Sequence, residues 1–218
     1  MRLAVPKKFK VLVAILFFFI VLGRTSTAET DTEYWSKYSL SIPVSDRVRL
    51  FVKPELRFDH NMGTFYYWKI YLGLQIHVRT FFDLAVYYAP KEKKSGNEWK
   101  FSNLGYIDGT LNFRCLNLKL RDRNRLEYSF DEEDLKYRNR ITVAKPILLG
   151  NKPVALFIAD EVFYHVNSST LNENRGSVGV SIRAVSFFDA ELSLMHRSTK
   201  KEEWQEAFVV VSDLKFNW

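Results

Sequence analysis

The stretch Val48-Arg49-Leu50-Phe51-Val52-Lys53-Pro54-Glu55-Leu56-Arg57-Phe58 decides how this chain folds. Its even positions are all apolar, and its odd positions are charged except for Phe51. Successive side chains of a β-strand point to opposite faces, so this period of two describes a strand with one greasy face and one charged face. Outward from it the pattern recurs on both sides. The segments are Trp35–Val44, Val48–Phe58, Phe65–His77, Phe81–Ala89, Lys100–Arg114, Leu118–Phe130, Leu135–Pro146, Pro153–His165, Asn174–Ala184, Phe187–Arg197 and Trp204–Trp218. Most run nine to fifteen residues, whereas ordinary strands average about 5–6 and a tilted membrane-crossing strand needs about 9–11.

The two faces call for two solvents. One phase reads Tyr38-Leu40-Ile42-Val44, Trp68-Ile70-Leu72-Leu74-Ile76, Phe82-Leu84-Val86-Tyr88, Val178-Val180-Ile182 and Phe208-Val210. The other carries Arg49, Lys53, Glu55 and Arg57, then Lys119, Arg121, Arg123, Arg125 and Glu127, then Lys136, Arg138 and Arg140, and later Glu161, Arg175, Arg183, Asp189, Glu191 and Arg197. Each such charge near the middle of a bilayer costs about 2–4 kcal/mol, so in a membrane this face turns inward. Aromatics make up 16% of the chain. Trp35, Tyr66, Tyr67, Trp68, Phe81, Phe82, Tyr87, Tyr88, Trp99, Phe187, Phe188 and Trp204 crowd the segment ends, where barrels carry girdles at the lipid–water boundaries.

Connections alternate between short ones (Ser45–Arg47, Val78–Thr80, Leu116–Asn117, Val185–Ser186) and longer polar ones (Asp59–Thr64, Pro90–Trp99, Asp131–Asp134, Val166–Glu173, Ser198–Glu203). That rhythm of turn and loop is the one outer-membrane barrels show. The expected fold is all-β, an antiparallel up-and-down transmembrane β-barrel. Eleven segments sit awkwardly with the even strand numbers of bacterial single-chain barrels. A segment outside the wall, or a hidden hairpin at Asp108-Gly109, brackets the barrel at ten to twelve strands. Asp122, Asn124 and Asp160 fall in the apolar phase; a β-bulge or a place near the rim would accommodate them. A soluble lipocalin-like barrel shares the period but puts its apolar residues inside.

The start of the chain reads differently. Arg2, Lys7, Lys8 and Lys10 precede an apolar run from Val11 to Leu22, followed by Ser26-Thr27-Ala28. This is the pattern of a secretory signal peptide over residues 1–28, with cleavage near Ala28 and the barrel over 29–218. The run is shorter than the roughly 20 residues a spanning helix takes. Residues 1–28 hold five of the 32 basic residues and none of the 25 acidic ones, so the remainder carries 27 against 25, a charge of +2. Nucleic acid is not an expected partner, because no basic tract or recognition motif stands out. Cys115 is the only cysteine, which excludes an internal disulfide and fits a small packing residue. Leu214, Phe216 and Trp218 at the chain end look like a C-terminal signal for the barrel assembly machinery, with Asp213 where glycine is common.

The residues also carry a resemblance. Trp35 at the first strand, Glu55-Leu56-Arg57, Arg123-Asn124-Arg125-Leu126-Glu127, Arg138-Asn139-Arg140, Glu161-Val162-Phe163 and Asn174-Arg175 with Gly179 occur in an order that resembles the bacterial outer-membrane family catalogued as domain of unknown function 2490. The resemblance spans nearly the whole exported chain. It implies a Gram-negative outer-membrane barrel and no established activity.

The sharpest candidate site is the ionic set Glu55, Arg57, Arg123, Arg125, Glu127, Arg138, Arg140, Glu161 and Arg175. The planar fork of arginine pairs bidentately with carboxylates, so a cross-lumen network filling a narrow barrel is one reading. A porin-like basic path for small anionic solutes is the other, since basic groups outnumber acidic ones on this face. A minor channel or an envelope structural protein is the expected function. The alternatives are an outer-membrane lipid-processing enzyme and a soluble periplasmic lipid-binding barrel. A Ser168-His165-Glu161 set can be sketched, but nothing in the spacing places the serine, and a non-enzymatic protein is expected. No spacing of His60, His77, His165, His196 and Cys115 suits a metal, and no phosphate-binding glycine motif occurs, so no cofactor is expected. Lys91, Lys93, Lys94 and Lys200-Lys201 would meet lipopolysaccharide at outer tips, alongside the outer-membrane lipid itself.

Overall fold

Each of the eleven alternating segments becomes a strand, and most of the strands are longer than the pattern alone suggests. The structure, a computed structural model, describes residues 32–150, 152–200 and 203–217. The expected signal segment, Lys201 and Trp218 lie outside the described residues. The strands are β1 (Thr32–Pro43), β2 (Val48–Asp59), β3 (Thr64–Arg79), β4 (Phe82–Ser95), β5 (Glu98–Cys115), β6 (Leu118–Ser129), β7 (Asp134–Leu149), β8 (Lys152–His165), β9 (Thr170–Val185), β10 (Phe188–Lys200) and β11 (Trp204–Asn217). No helix occurs among the described residues.

The sheet is one closed barrel in which each strand pairs antiparallel with its sequence neighbours. The exception is the seam. There β1 and β11 run parallel, from Thr32 beside Phe208 to Ser41 beside Asn217. The geometry requires this. A meander reverses direction at every turn, so an odd number of strands leaves the first and last pointing the same way. The strand number is therefore eleven among the described residues, and the expectation of an even count is corrected. Asp108-Gly109 hides no hairpin. Both residues pair mid-strand, with Ala85 and Leu84 on one side and Arg125 and Asn124 on the other. Thr32 and Asn217 consequently mark opposite ends of the barrel.

The long loops expected from polar composition are also absent among the described residues. No connection exceeds four residues. Within Pro90–Trp99 the ladder continues to Ser95 beside Glu98, leaving only Gly96 and Asn97 as the turn. Polar side chains on both faces do not prevent the backbone from pairing, so they lengthen the strands here instead of looping out. The Leu116–Asn117 turn, by contrast, is as short as expected. Both residues take positive φ, 48° and 63°, as the tight hairpin turn that follows the sheet twist demands.

The two faces are oriented as the alternation implies. In β2, Leu50 and Val52 are 46% and 39% exposed, while Glu55 is 5% exposed and faces the lumen. The greasy face is outside and the charged face inside, the reverse of a lipocalin-like barrel. Outward aromatics form two belts. Tyr34, Phe58, Phe65 and Trp99 follow one another around the Thr32 end, with ring centroids 5.4–6.0 Å apart. Phe81, Phe113 and Phe187 mark the Asn217 end, where the Phe188 and Phe216 rings pack at a tilt with centroids 5.0 Å apart. Trp35, Tyr66, Tyr67 and Tyr87 do not belong to these girdles. They are buried inside the barrel, Trp35 completely.

No bulge re-phases Asp122, Asn124 or Asp160. The registers of β5–β6 and β6–β7 are unbroken, and the β8–β9 shift falls later, at Phe163/Tyr164. The three residues stay on the outer face in mid-strand and are satisfied by polar side chains of the neighbouring strands. Asn139 Nδ2 donates to Asp122 Oδ1 at 2.6 Å and to Asn124 Oδ1 at 3.1 Å, the Tyr137 hydroxyl reaches Asn124 at 2.5 Å, and Asn174 Nδ2 donates to Asp160 at 3.1 Å. Hydrogen bonding of each partner reduces what such groups cost away from water. Cys115 is exposed at the end of β5 and fills no core space.

Candidate functional site

The lumen is built by alternation, since every second residue along the strands points into it, with the bulge in β3 turning both Tyr66 and Tyr67 inward. Adjacent strands then decide which charge meets which. At the Thr32 half, Glu161 of β8 lies beside Arg140 on one side and Arg175 on the other. Its carboxylate accepts from Arg123 at 2.6 Å and Arg138 at 2.8 Å, with Arg140 at 3.8 Å. Arg138 also donates to Glu127 at 2.8 Å, and Arg57 pairs with Glu55 at 2.6 Å. The nine expected site residues thus share one lumen. Seven of them form ion pairs with one another, while Arg125 and Arg175 pair with carboxylates outside the set.

Arg125 binds Asp108 through two parallel hydrogen bonds of 2.6 Å. This is the fork geometry that makes such pairs strong. Arg175 likewise takes Glu173 at 2.5 Å, and Arg197 takes Glu33 at 2.6 Å. Sequence reading missed Asp108, Glu173 and Glu33. Asp108 was masked by its resemblance to a turn, and Glu173 and Glu33 lay just beyond the segment bounds, although their phase is the lumenal one.

Aromatic rings complete this half. Trp35 has the Arg57 guanidinium 3.5 Å over its ring, with Arg175 at 4.8 Å and Arg197 at 5.7 Å. Its indole N–H donates to Glu33 at 2.8 Å, which also accepts from the Tyr66 hydroxyl at 2.9 Å. Arg138 and Arg175 lie 4.2 Å and 4.3 Å over Phe163. Leu104, Ala89 and Tyr106, 2% exposed or less, fill the opposite wall. Cations stacked on ring faces are held without needing further carboxylates. Gly179 makes room for the filling: a Cβ there would meet the Phe157 ring at 2.5 Å and the Leu192 carbonyl at 2.7 Å.

Towards the Asn217 end the same lumen opens into a cavity of about 600 Å³. Twelve lysines and arginines line it against five carboxylates. Lys37, Arg49, Lys53 and Arg121 have no carboxylate within ion-pair distance among the described residues. Arg49 donates to Ser41 at 2.7 Å, and Lys53 sits 4.4 Å over Phe51. Arg121 points inward yet is exposed, so water reaches this half.

The sketched catalytic set does not assemble. Glu161 is committed to arginines, His165 lies 3.2 Å from Asp134, and the Ser168 hydroxyl meets Thr170 at 2.7 Å. No group of three or more metal-ligating side chains occurs among the described residues. Lys91, Lys93 and Lys94 belong to β4 and lie at the Thr32 end, as does Lys200. Leu214 and Phe216 face outward on β11 at the other end.

A polar-inside, apolar-outside closed β-barrel is the class that this fold and lumen define. Within it, the chain belongs to the family of proteins of unknown function DUF2490, whose model matches residues 32–206. Among solved structures, the chain is similar in fold to LpxR from Salmonella typhimurium, with a TM-score of 0.51 and 10% identity over 83% of this chain and 87% of that one. At that identity the likeness concerns the fold alone. Comparison with curated proteins gave no match.

Proposed function

We propose that this chain is an integral outer-membrane β-barrel closed to through-flow: a non-enzymatic envelope protein, not an open channel. The observation that carries this reading is the filled half of the lumen, where Trp35 is fully buried beneath three guanidiniums and the Glu161 ion cluster spans the neighbouring strands. The apolar outer face, the two aromatic belts, strands of twelve to eighteen residues and the expected signal segment support the membrane location. Membrane lipid is then the partner of the outer face, and Leu214 and Phe216 are the part of the C-terminal signal offered to the assembly machinery. The Asn217 end faces the periplasm in this reading, and the β4 lysines lie at the end nearer lipopolysaccharide, Lys94 in the outward phase and Lys91 in the lumenal one.

The test joins fractionation to planar-bilayer recording. The protein is expected in the outer-membrane fraction, heat-modifiable on gels, and without steady conductance steps. Recovery from periplasm as a soluble monomer overturns the location, and steady single-channel current overturns the closed lumen.

A further inference from the structure

Resting on that reading, we infer that the open half of the lumen is a binding site for a small soluble phosphorylated molecule, entered from the Asn217 end. Three observations converge. The cavity, about 600 Å³, is of the size that takes a small organic ligand. Its charge is predominantly positive: adding Asp108, Glu127 and Glu173, which lie behind the lining and bind Arg125, Arg138 and Arg175, still leaves twelve cations against eight carboxylates. The lining cations with no ion-paired carboxylate are Lys37, Arg49, Lys53, Lys69 and Arg121; Lys69 is buried against tyrosine rings, which leaves the other four as the excess the cavity offers.

The register explains why three of these four stay available, whereas Lys37 lies between Glu55 on β2 and Asp213 on β11 without an ion pair to either. Arg121 is flanked by Asn112 and Thr142, Arg49 by Gln75, and Lys53 by Tyr71. These neighbours can accept or donate hydrogen bonds but carry no compensating charge. A cleft of one sign between low-dielectric walls focuses its field on an incoming ion of the opposite sign. Arginine offers a planar fork and lysine a mobile point charge, the combination suited to the several oxygens of a phosphate. Phe51, Tyr71 and Tyr87 supply ring faces beside the cations, on which the organic part of the ligand would rest. The ladder is closed all round, so membrane lipid in the wall has no lateral route into the cavity, and the ligand comes from solution.

Full-length protein in detergent is titrated with pyrophosphate by calorimetry, beside Lys53→Ala, Arg121→Ala and the double variant, with Lys91→Ala as a basic control at the other end. Heat-modifiable migration confirms that each variant is folded. Saturable binding is expected, weakening by about tenfold for each single variant and further for the double, since each removes a charge-assisted contact. It should weaken with added salt and be unchanged in Lys91→Ala. Absent binding by the wild type, or binding by Lys53→Ala and Arg121→Ala as tight as that of the wild type, overturns the site. Bilayer recording of the same preparation separates the two claims. A conducting barrel whose current pyrophosphate blocks removes the closed-lumen reading and keeps the site; a silent barrel that binds nothing does the reverse.

Discussion

The two halves of the lumen are written in the same alphabet and end in different states. On β6, Arg125 and Arg121 lie four residues apart on the same face. Arg125 is 6% exposed and locked to Asp108, which sits directly opposite on β5. Arg121 faces Asn112 at the equivalent position and remains exposed. On β2, Arg57 is stacked on Trp35 and paired with Glu55, whereas Lys53 rests on rings alone. What distinguishes plug from cavity is therefore the cross-strand neighbour and not the residue type. Charge on an inward face becomes structure where a carboxylate pairs with it, and stays available to a ligand where none does.

The comparison is easiest to break at Glu161. Glu161→Gln leaves Arg123, Arg138, Arg140 and Arg175 around a neutral amide, and stranding buried charges in this way costs about 3–5 kcal/mol. A large fall in the urea midpoint or in the temperature of heat-modification is expected, and an unchanged midpoint would show that the cluster carries little structure. Trp35→Ala removes the ring beneath three cations and leaves a void, for about 3–5 kcal/mol, and opens the filled half. Bilayer current should appear in this variant; a tight, silent Trp35→Ala barrel would mean that another layer makes the seal. Gly179→Ala tests the packing more gently. The added methyl has no room beside Phe157, so about 1–3 kcal/mol is expected by denaturant titration.

Lys53→Ala and Arg121→Ala sharpen the comparison from the other side. Arg121 is exposed and Lys53 is half-buried over rings, and neither has an ion-paired carboxylate, so their loss should leave stability within about 1 kcal/mol while weakening ligand binding about tenfold. A large destabilisation of either variant would place the cavity cations in the same structural class as the plug. The parallel seam yields a topological expectation of its own. Thr32 and Asn217 lie at opposite ends, so epitope tags adjoining them should be reached by protease from opposite sides of the membrane. Protection of both from the same side would contradict the eleven-strand closure.

The alternation was legible because it is local. Val48–Phe58 shows both faces within one strand, and the structure orients them as the charge pattern implies. Most of the ionic set was legible for the same reason. What was hidden depends on pairing across strands. Asp108 meets Arg125 only once β5 and β6 are in register, and its glycine neighbour imitates a turn. Trp35 looked like a girdle residue because its ring says nothing about direction. Yet it shares the phase of Lys37 against the apolar phase of Tyr38 and Leu40, and that phase points inward. The even-number rule misled because it describes antiparallel closure, and this barrel closes with one parallel pair. Polarity at the strand ends misled on loop length, since polar residues there extend the ladder.

The central claim, a lumen sealed in one half and wet in the other, is tested most directly by accessibility within one barrel. In a Cys115→Ser background, Arg121→Cys and Leu104→Cys both direct a thiol into the lumen, from the open half and from the filled half. Folded protein in detergent is exposed to a water-soluble maleimide. Fast labelling of Arg121→Cys and protection of Leu104→Cys until denaturation is the predicted result; equal labelling of both in the folded barrel would contradict it.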